Sequence, residues 1–188
     1  KHPHVVAVTD VLSHEGTIGL LMEYIDAINL VQLINERGPL TSEETLELMA
    51  PIFSGMHAAH QIGVLHRDVK PANILIRRDV QGFFPMITDF GIAKVLSESL
   101  DGLQTADGVV MGTPGYMAPE QFLEPDDVDV RTDIFALGSM VYELLTGAPA
   151  FKGKSGFLSL RTTSREEVVS LTTAKPGLPE NIAAAVMQ

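Results

Sequence analysis

Val64 to Leu75 reads VLHRDVKPANIL and crowds His66, Arg67, Asp68, Lys70 and Asn73 between two short apolar runs. Polar groups withdrawn from water cost free energy unless each finds a partner. Such a segment is either a surface turn or the floor of a working site. Two further motifs follow it in order, DFG at Asp89–Gly91 and GTPGYMAPE at Gly112–Glu120. Together these residue types suit phosphoryl transfer, which needs a carboxylate to orient and deprotonate an attacking hydroxyl. It also needs a cation against developing charge and oxygen ligands for magnesium. Asp68 can be the base and Lys70 the cation, and Asn73 with Asp89 can be the metal ligands. Magnesium favours one or two carboxylates with neutral oxygens and water, which matches an Asp and an Asn. Taken singly, Asn73 could instead cap a turn and Asp89 open one.

The elements that must hold these groups are legible in outline. VVAVTDVL (Val5–Leu12) and TIGLLMEYI (Thr17–Ile25) read as β-rich segments joined by SHEG, a turn composition. Thr41 followed three residues later by Glu44 is a capping-box pattern. Leu46, Met49, Phe53, Met56 and His60 then recur at helical spacing up to Gly63, with Pro51 inside expected to kink the helix. NILIR and FPMIT suggest two short strands on either side of a turn. SESLDGLQTADG has no period and reads as a mobile loop. RTDIFALGSMVYELLTG predicts a buried helix with Ile134, Leu137, Val141, Leu144 and Leu145 on one face and Gly147 as its C-terminal cap. Residues 155–188 suggest loops with two helices.

Composition narrows the function classes. The chain has 188 residues, 45% hydrophobic and 20% charged, with mean hydropathy +0.18, so a folded domain is expected and global disorder is not. The net charge of -11 and pI of about 4.8, with no lysine or arginine run, argue against a nucleic-acid or anionic-membrane surface as the main partner. With no cysteine, disulfides, thiolate metal sites and cysteine nucleophiles are excluded. No apolar run approaches a membrane span, and the abrupt start at Lys1 and helix-like PENIAAAVMQ suggest a piece of a longer protein.

HRDVKPAN, DFG and APE, in this order, resemble the catalytic loop, metal-binding motif and activation-segment end of the eukaryotic-type protein kinases. DFG alone is weak; HRDxKxxN is strong, and stronger with the other two downstream. The lysine two after the aspartate resembles the serine/threonine branch. The wording HRDVKPANIL, TDFGIAK and GTPGYMAPEQ is most similar to its bacterial members. The resemblance implies an α+β fold. Residues 1–25 would close the smaller lobe with two strands and a hinge, residues 26–188 would form a mostly helical larger lobe, and residues 89–120 would be the activation segment. It implies ATP as substrate, Mg2+ or Mn2+ as cofactor and protein serine or threonine hydroxyls as acceptors. A second copy of the kinase is the implied partner for activation-loop phosphorylation, and a cytoplasmic location is implied, with a membrane anchor elsewhere in the parent protein.

Residue by residue, the resemblance puts Asp68 at the acceptor hydroxyl, Lys70 on the γ-phosphate and Asn73 and Asp89 on the metal. His66 and Phe90 would be structural, stacked in a spine that also takes Val8. Arg67 would read a phosphate on the activation loop, with Thr105 the first choice of phosphosite and Ser97 and Ser99 behind it. Thr113 resembles the threonine that bonds the catalytic aspartate and lysine. In the hinge, Met22 would be the gatekeeper, the backbones of Glu23 and Ile25 would meet adenine, Leu75 would form the pocket floor and Asn29 would lie at the ribose. Asp133 would hold the catalytic-loop backbone, and Glu120 would pair with an arginine that this sequence does not reach. The family's glycine-rich phosphate loop, strand lysine and helix glutamate are not in these 188 residues, so the isolated chain is expected to bind ATP poorly. Two other readings remain open, a docking scaffold of the same fold and a small-molecule kinase. Intact Asp68, Asn73 and Asp89 weigh against the first, and GTPGYMAPE weighs against the second.

Overall fold

The structure is a computed structural model that describes residues 1–14, 17–79, 82–90, 114–123, 128–151 and 168–187. Strands β1 (Val8–His14) and β2 (Thr17–Met22) form an antiparallel pair. The first strand therefore starts later than expected from sequence. Residues 4–6 lie instead against the second sheet, where Val6 N–H donates to the Ile87 carbonyl and Ile87 N–H to that of His4, each at 2.9 Å. The second strand ends at Met22 and not at Ile25.

The second sheet has the order β3 (Ile28–Asn29), β4 (Ile74–Asp79), β5 (Gly82–Ile87), all antiparallel. Helix α1 (Leu30–Arg37) was not read from the sequence, although Asn29 and Gln32 cap each other's backbone at its start. Only Leu30 and Leu33 of this short helix are buried, too few apolar repeats to stand out as a period. Helix α2 (Ser42–His60) begins with the expected Thr41–Glu44 box and continues through Pro51. Its buried face is rotated from the expected one. Thr45, Leu48, Met49, Ile52, Gly55 and Met56 face the core, whereas Leu46 is 63% and Phe53 41% exposed.

A 3-10 turn (Pro71–Asn73) leads into β4, and another (Pro114–Tyr116) precedes helix α3 (Glu120–Leu123). Helix α4 (Val130–Thr146) is the centre of the core. Met140, Leu144 and Leu145 are buried in a cluster with residues of α1, α2 and β4. Ile134, expected on its inner face, is 57% exposed. Gly147 ends α4 at φ 74° and ψ 9°, and its N–H donates to the Glu143 carbonyl at 2.7 Å. Two short helices, α5 (Leu171–Ala174) and α6 (Glu180–Val186), close the far side through Leu171 and Ala183. Among the described residues no helix is long and apolar enough to cross a membrane.

Candidate active site

The hairpin sets one pair of candidate ligands. Ile74 faces Ile87 in the β4–β5 register, and one step further Thr88 N–H donates to the Asn73 carbonyl at 3.0 Å. Asn73 at the start of β4 and Asp89 beyond the end of β5 therefore emerge at the same end of the hairpin. Antiparallel pairing enforces this, since residues entering one strand oppose those leaving its neighbour.

Asp68 is the meeting point of the loop. Lys70 Nζ donates to its Oδ2 at 2.6 Å. Asn73 Nδ2 donates to the same oxygen at 3.1 Å and to the Asp68 backbone carbonyl at 2.8 Å. Among the described residues no donor engages the other carboxylate oxygen, Oδ1. Because Asn73 spends its amide nitrogen on Asp68, its amide oxygen is left for another partner. Among the described residues Asp89 receives only a long contact from Thr88 Oγ1 at 3.5 Å. One carboxylate and one amide oxygen at the same strand end are hard ligands that fit a magnesium ion sharing its shell with phosphate and water.

The backbone around Asp68 is fixed by buried polar groups. Asp133, at the N-terminal end of α4, accepts the Arg67 N–H on Oδ1 at 2.8 Å and the His66 N–H on Oδ2 at 2.9 Å. His60 Nε2–H donates to the same Oδ2 at 2.8 Å. His66 is fully buried; its Nε2–H donates to the Thr88 carbonyl at 2.9 Å, and its Nδ1 accepts the Asp68 N–H at 3.3 Å. Burial holds the His66 pKa below the ordinary imidazole value, against the opposing pull of Asp133 and the Thr88 carbonyl. That agrees with a neutral ring, one nitrogen donating and the other accepting. Phe90 lies against this ring at a centroid distance of 4.6 Å. Val8, expected in the same stack, is 50% exposed and only borders a cavity that Phe90 also lines.

Two residues of the site have left-handed backbone, Arg67 at φ 65° and Asp89 at φ 62°. For a residue with a side chain this costs about 1–2 kcal/mol. Such strain persists only where the surroundings over-determine it. At Arg67 those surroundings are the hydrogen bonds of Asp133 and a further one, from Gln121 Nε2 to the Arg67 carbonyl at 2.8 Å.

The remaining expected residues fall as follows. Met22 ends β2 opposite Val8 and lines a cavity of about 430 Å3 together with Leu20, Asp89 and Phe90. Glu23 N–H donates to the Ala7 carbonyl at 3.0 Å, and its Oε1 accepts the Ala7 N–H at 2.7 Å, so its side chain ties the end of β2 to Ala7. Ile25 is half-buried. Asn29 pairs with Leu75 across β3 and β4, but its side-chain oxygen is taken by the Gln32 N–H at 3.0 Å. Glu120 Oε1 accepts from Thr132 Oγ1 at 2.9 Å. Among the described residues no ion pair engages the Arg67 guanidinium. Thr105 and Thr113, with Ser97 and Ser99, lie outside the described residues.

Sequence reasoning did not single out His60 or Gln121 for the site, nor Tyr116, whose hydroxyl donates to Glu143 of α4. Burial, and then that bond, push the Tyr116 pKa far above the usual phenol range, so it stays a donor. All three links join residues far apart in sequence, where no local spacing could show them.

A helical body built on α2 and α4, with a small hairpin delivering an Asp and an Asn beside a lysine-paired aspartate, has the architecture of a protein kinase, and the α+β reading holds. The chain belongs to the protein kinase domain family, which it matches over residues 1–184. It is 35% identical over 192 residues to serine/threonine-protein kinase PknB of Mycobacterium tuberculosis, covering all of this chain and 30% of that protein. It is 37% identical over 186 residues to PknH of Mycobacterium bovis, covering 99% of this chain and 30% of that protein. These relatives are bacterial, in agreement with the resemblance read from the motifs. The chain thus spans under a third of the curated relatives it matches. Among solved structures, the kinase domain of Mycobacterium tuberculosis PknI superposes with a TM-score of 0.72 at 26% identity, over all of this chain and 65% of that one. Rad53 residues 1–466 in complex with AMP-PNP gives 0.77 at 23% identity, over all of this chain and 46% of that one, a likeness of fold alone.

Proposed function

We propose that this chain carries the catalytic centre of a serine/threonine protein kinase that transfers the γ-phosphoryl group of ATP to protein hydroxyls. The observation that carries the reading is the convergence of Lys70 and Asn73 on one oxygen of Asp68, with no donor among the described residues on the second. The acceptor hydroxyl hydrogen-bonds to Asp68 Oδ1. Its oxygen forms a bond to the γ-phosphorus as the bond to the ADP oxygen breaks, and its proton passes to the Asp68 carboxylate. Lys70 offsets charge on the transferred group while holding Asp68 in its rotamer. Asn73 Oδ1 and the Asp89 carboxylate would hold Mg2+ or Mn2+, which when bound neutralises the nucleotide phosphates. Met22, the hinge backbone at Glu23 and Ile25, and Leu75 border the space for adenine. Arg67, with no ion-pair partner among the described residues, is available to a phosphate on the activation segment, with Thr105 as the first candidate.

Phosphate transfer from Mg-ATP to a generic serine/threonine protein substrate tests this in the full gene product, beside Asp68→Asn. Transfer is expected to fall by two to four orders of magnitude in the variant, roughly the contribution of a positioned base. A folded, ATP-binding protein that transfers nothing, even after treatment with an activating kinase, would point instead to a docking scaffold.

A further inference from the structure

The peptide group that joins Arg67 to Asp68 is held at both ends. Its N–H donates to His66 Nδ1 at 3.3 Å, and its carbonyl accepts from Gln121 Nε2 at 2.8 Å. The first partner belongs to the same loop. The second comes from α3, 54 residues further along, immediately after the GTPGYMAPE motif. The other end of the Gln121 amide is also used, because Oε1 accepts the N–H of buried Ala118 at 3.1 Å. Gln121 is therefore a two-ended connector, with one end on the close of the activation segment and the other on the peptide that carries Asp68. A crevice lined by Arg67, Asp68, Gln121 and Asp133 lies beside it.

This connection acts on a strained residue. Arg67 sits at φ 65°, and without external bonds its backbone would relax toward negative φ. Relaxation swings the following peptide plane and with it the Asp68 carboxylate. Reaction rates are steep in such displacements, a misplacement of about 1 Å costing up to roughly a hundredfold. Asp133 restrains the N–H side of Arg67; among the described residues only Gln121 restrains its carbonyl.

We propose that Gln121 is a positioning residue, whose side-chain amide transmits the placement of the activation-segment end to the peptide plane of Asp68. This rests on the kinase reading above. Two variants of the full gene product separate it from a plain helix-end role. Gln121→Glu keeps an oxygen for the Ala118 N–H but sets an oxygen against the Arg67 carbonyl. Gln121→Lys keeps a donor for that carbonyl and gives up the acceptor. Gln121→Glu is expected to lower kcat about tenfold at unchanged KM for ATP, with a smaller loss in Gln121→Lys. The deficit of Gln121→Glu relative to the unsubstituted protein should shrink as pH falls, because a protonated carboxyl can donate. The opposite order, with Glu harmless and Lys damaging, would show a cap for α3 and overturn the proposal. Amide hydrogen exchange over residues 66–69 gives a readout without activity and should be faster in Gln121→Glu at equal global stability. Unchanged exchange would also overturn the proposal. Faster exchange in a protein whose unsubstituted form transfers no phosphate would uphold the tether and refute the kinase reading.

Discussion

Asp133 carries three hydrogen bonds on one buried carboxylate, and two of them hold consecutive backbone N–H groups, those of His66 and Arg67. Burying such a group costs several kcal/mol unless donors replace the lost water. His60 and the two amides provide that replacement. His66 is a pH-sensitive member of the set. Its folded pKa lies below the ordinary value of 6.5, chiefly through burial, so protonation favours the unfolded chain. The stability it contributes is complete above about pH 6.5 and is lost as pH falls toward the lowered folded value. Urea midpoints taken at about pH 8 and pH 5.5 should therefore converge more closely in His66→Gln than in the unsubstituted protein; an equal drop in both would place the titration elsewhere. At this scale the sequence was most informative where chemistry is local. Asp68, Lys70 and Asn73 lie within five positions, and their spacing alone brings them together. Asp133 entered only through the resemblance, and Gln121 not at all, because each reaches Arg67 from more than fifty residues away.

The elements show what periodicity can and cannot determine. The Thr41–Glu44 box and the Gly147 stop were legible because capping chemistry is written in the side chains themselves. The rotation of α2 was not, since Leu46–Met49–Phe53–Met56 forms an apolar seam in sequence while the neighbours of the helix decide which side is covered. Those neighbours are β5 and residues 4–6. A Cβ on Gly55 would lie 3.0 Å from Ile87 Cδ1 and 3.2 Å from Val5 Cγ2, so glycine permits the close approach that turns Leu46 outward. At the end of α4 a glycine is needed twice over. Gly147 has φ +74°, and a Cβ there would meet Pro39 Cγ at 2.7 Å. Gly147→Ala is expected to destabilise the fold by about 1–3 kcal/mol, from backbone strain plus the clash. A thermal or denaturant midpoint unchanged by this substitution would show that Pro39 yields freely.

In the molecule as a whole, the loop that carries Asp68 is braced from several sides, whereas the β1–β2 pair is open among the described residues. Val8, Val11, Leu12 and Leu21 on the β1–β2 pair are at least half exposed, and the cavity beside Asp89 and Phe90 is bordered by few polar groups. The 188-residue chain by itself is accordingly expected to bind Mg-ATP weakly; submicromolar affinity by calorimetry would contradict this. The left-handed residues flanking the site have a further consequence. Arg67 and Asp89 hold conformations that glycine adopts freely, at φ 65° and 62°. Glycine at either position should raise the melting temperature of the protein while removing the side chain proposed to read a phosphate or to hold a metal. A library sorted first for folded protein and then for phosphate transfer would enrich and then purge the same two glycines. Their reversal would trace the working site by selection alone, with a generic acceptor and no native substrate identified in advance.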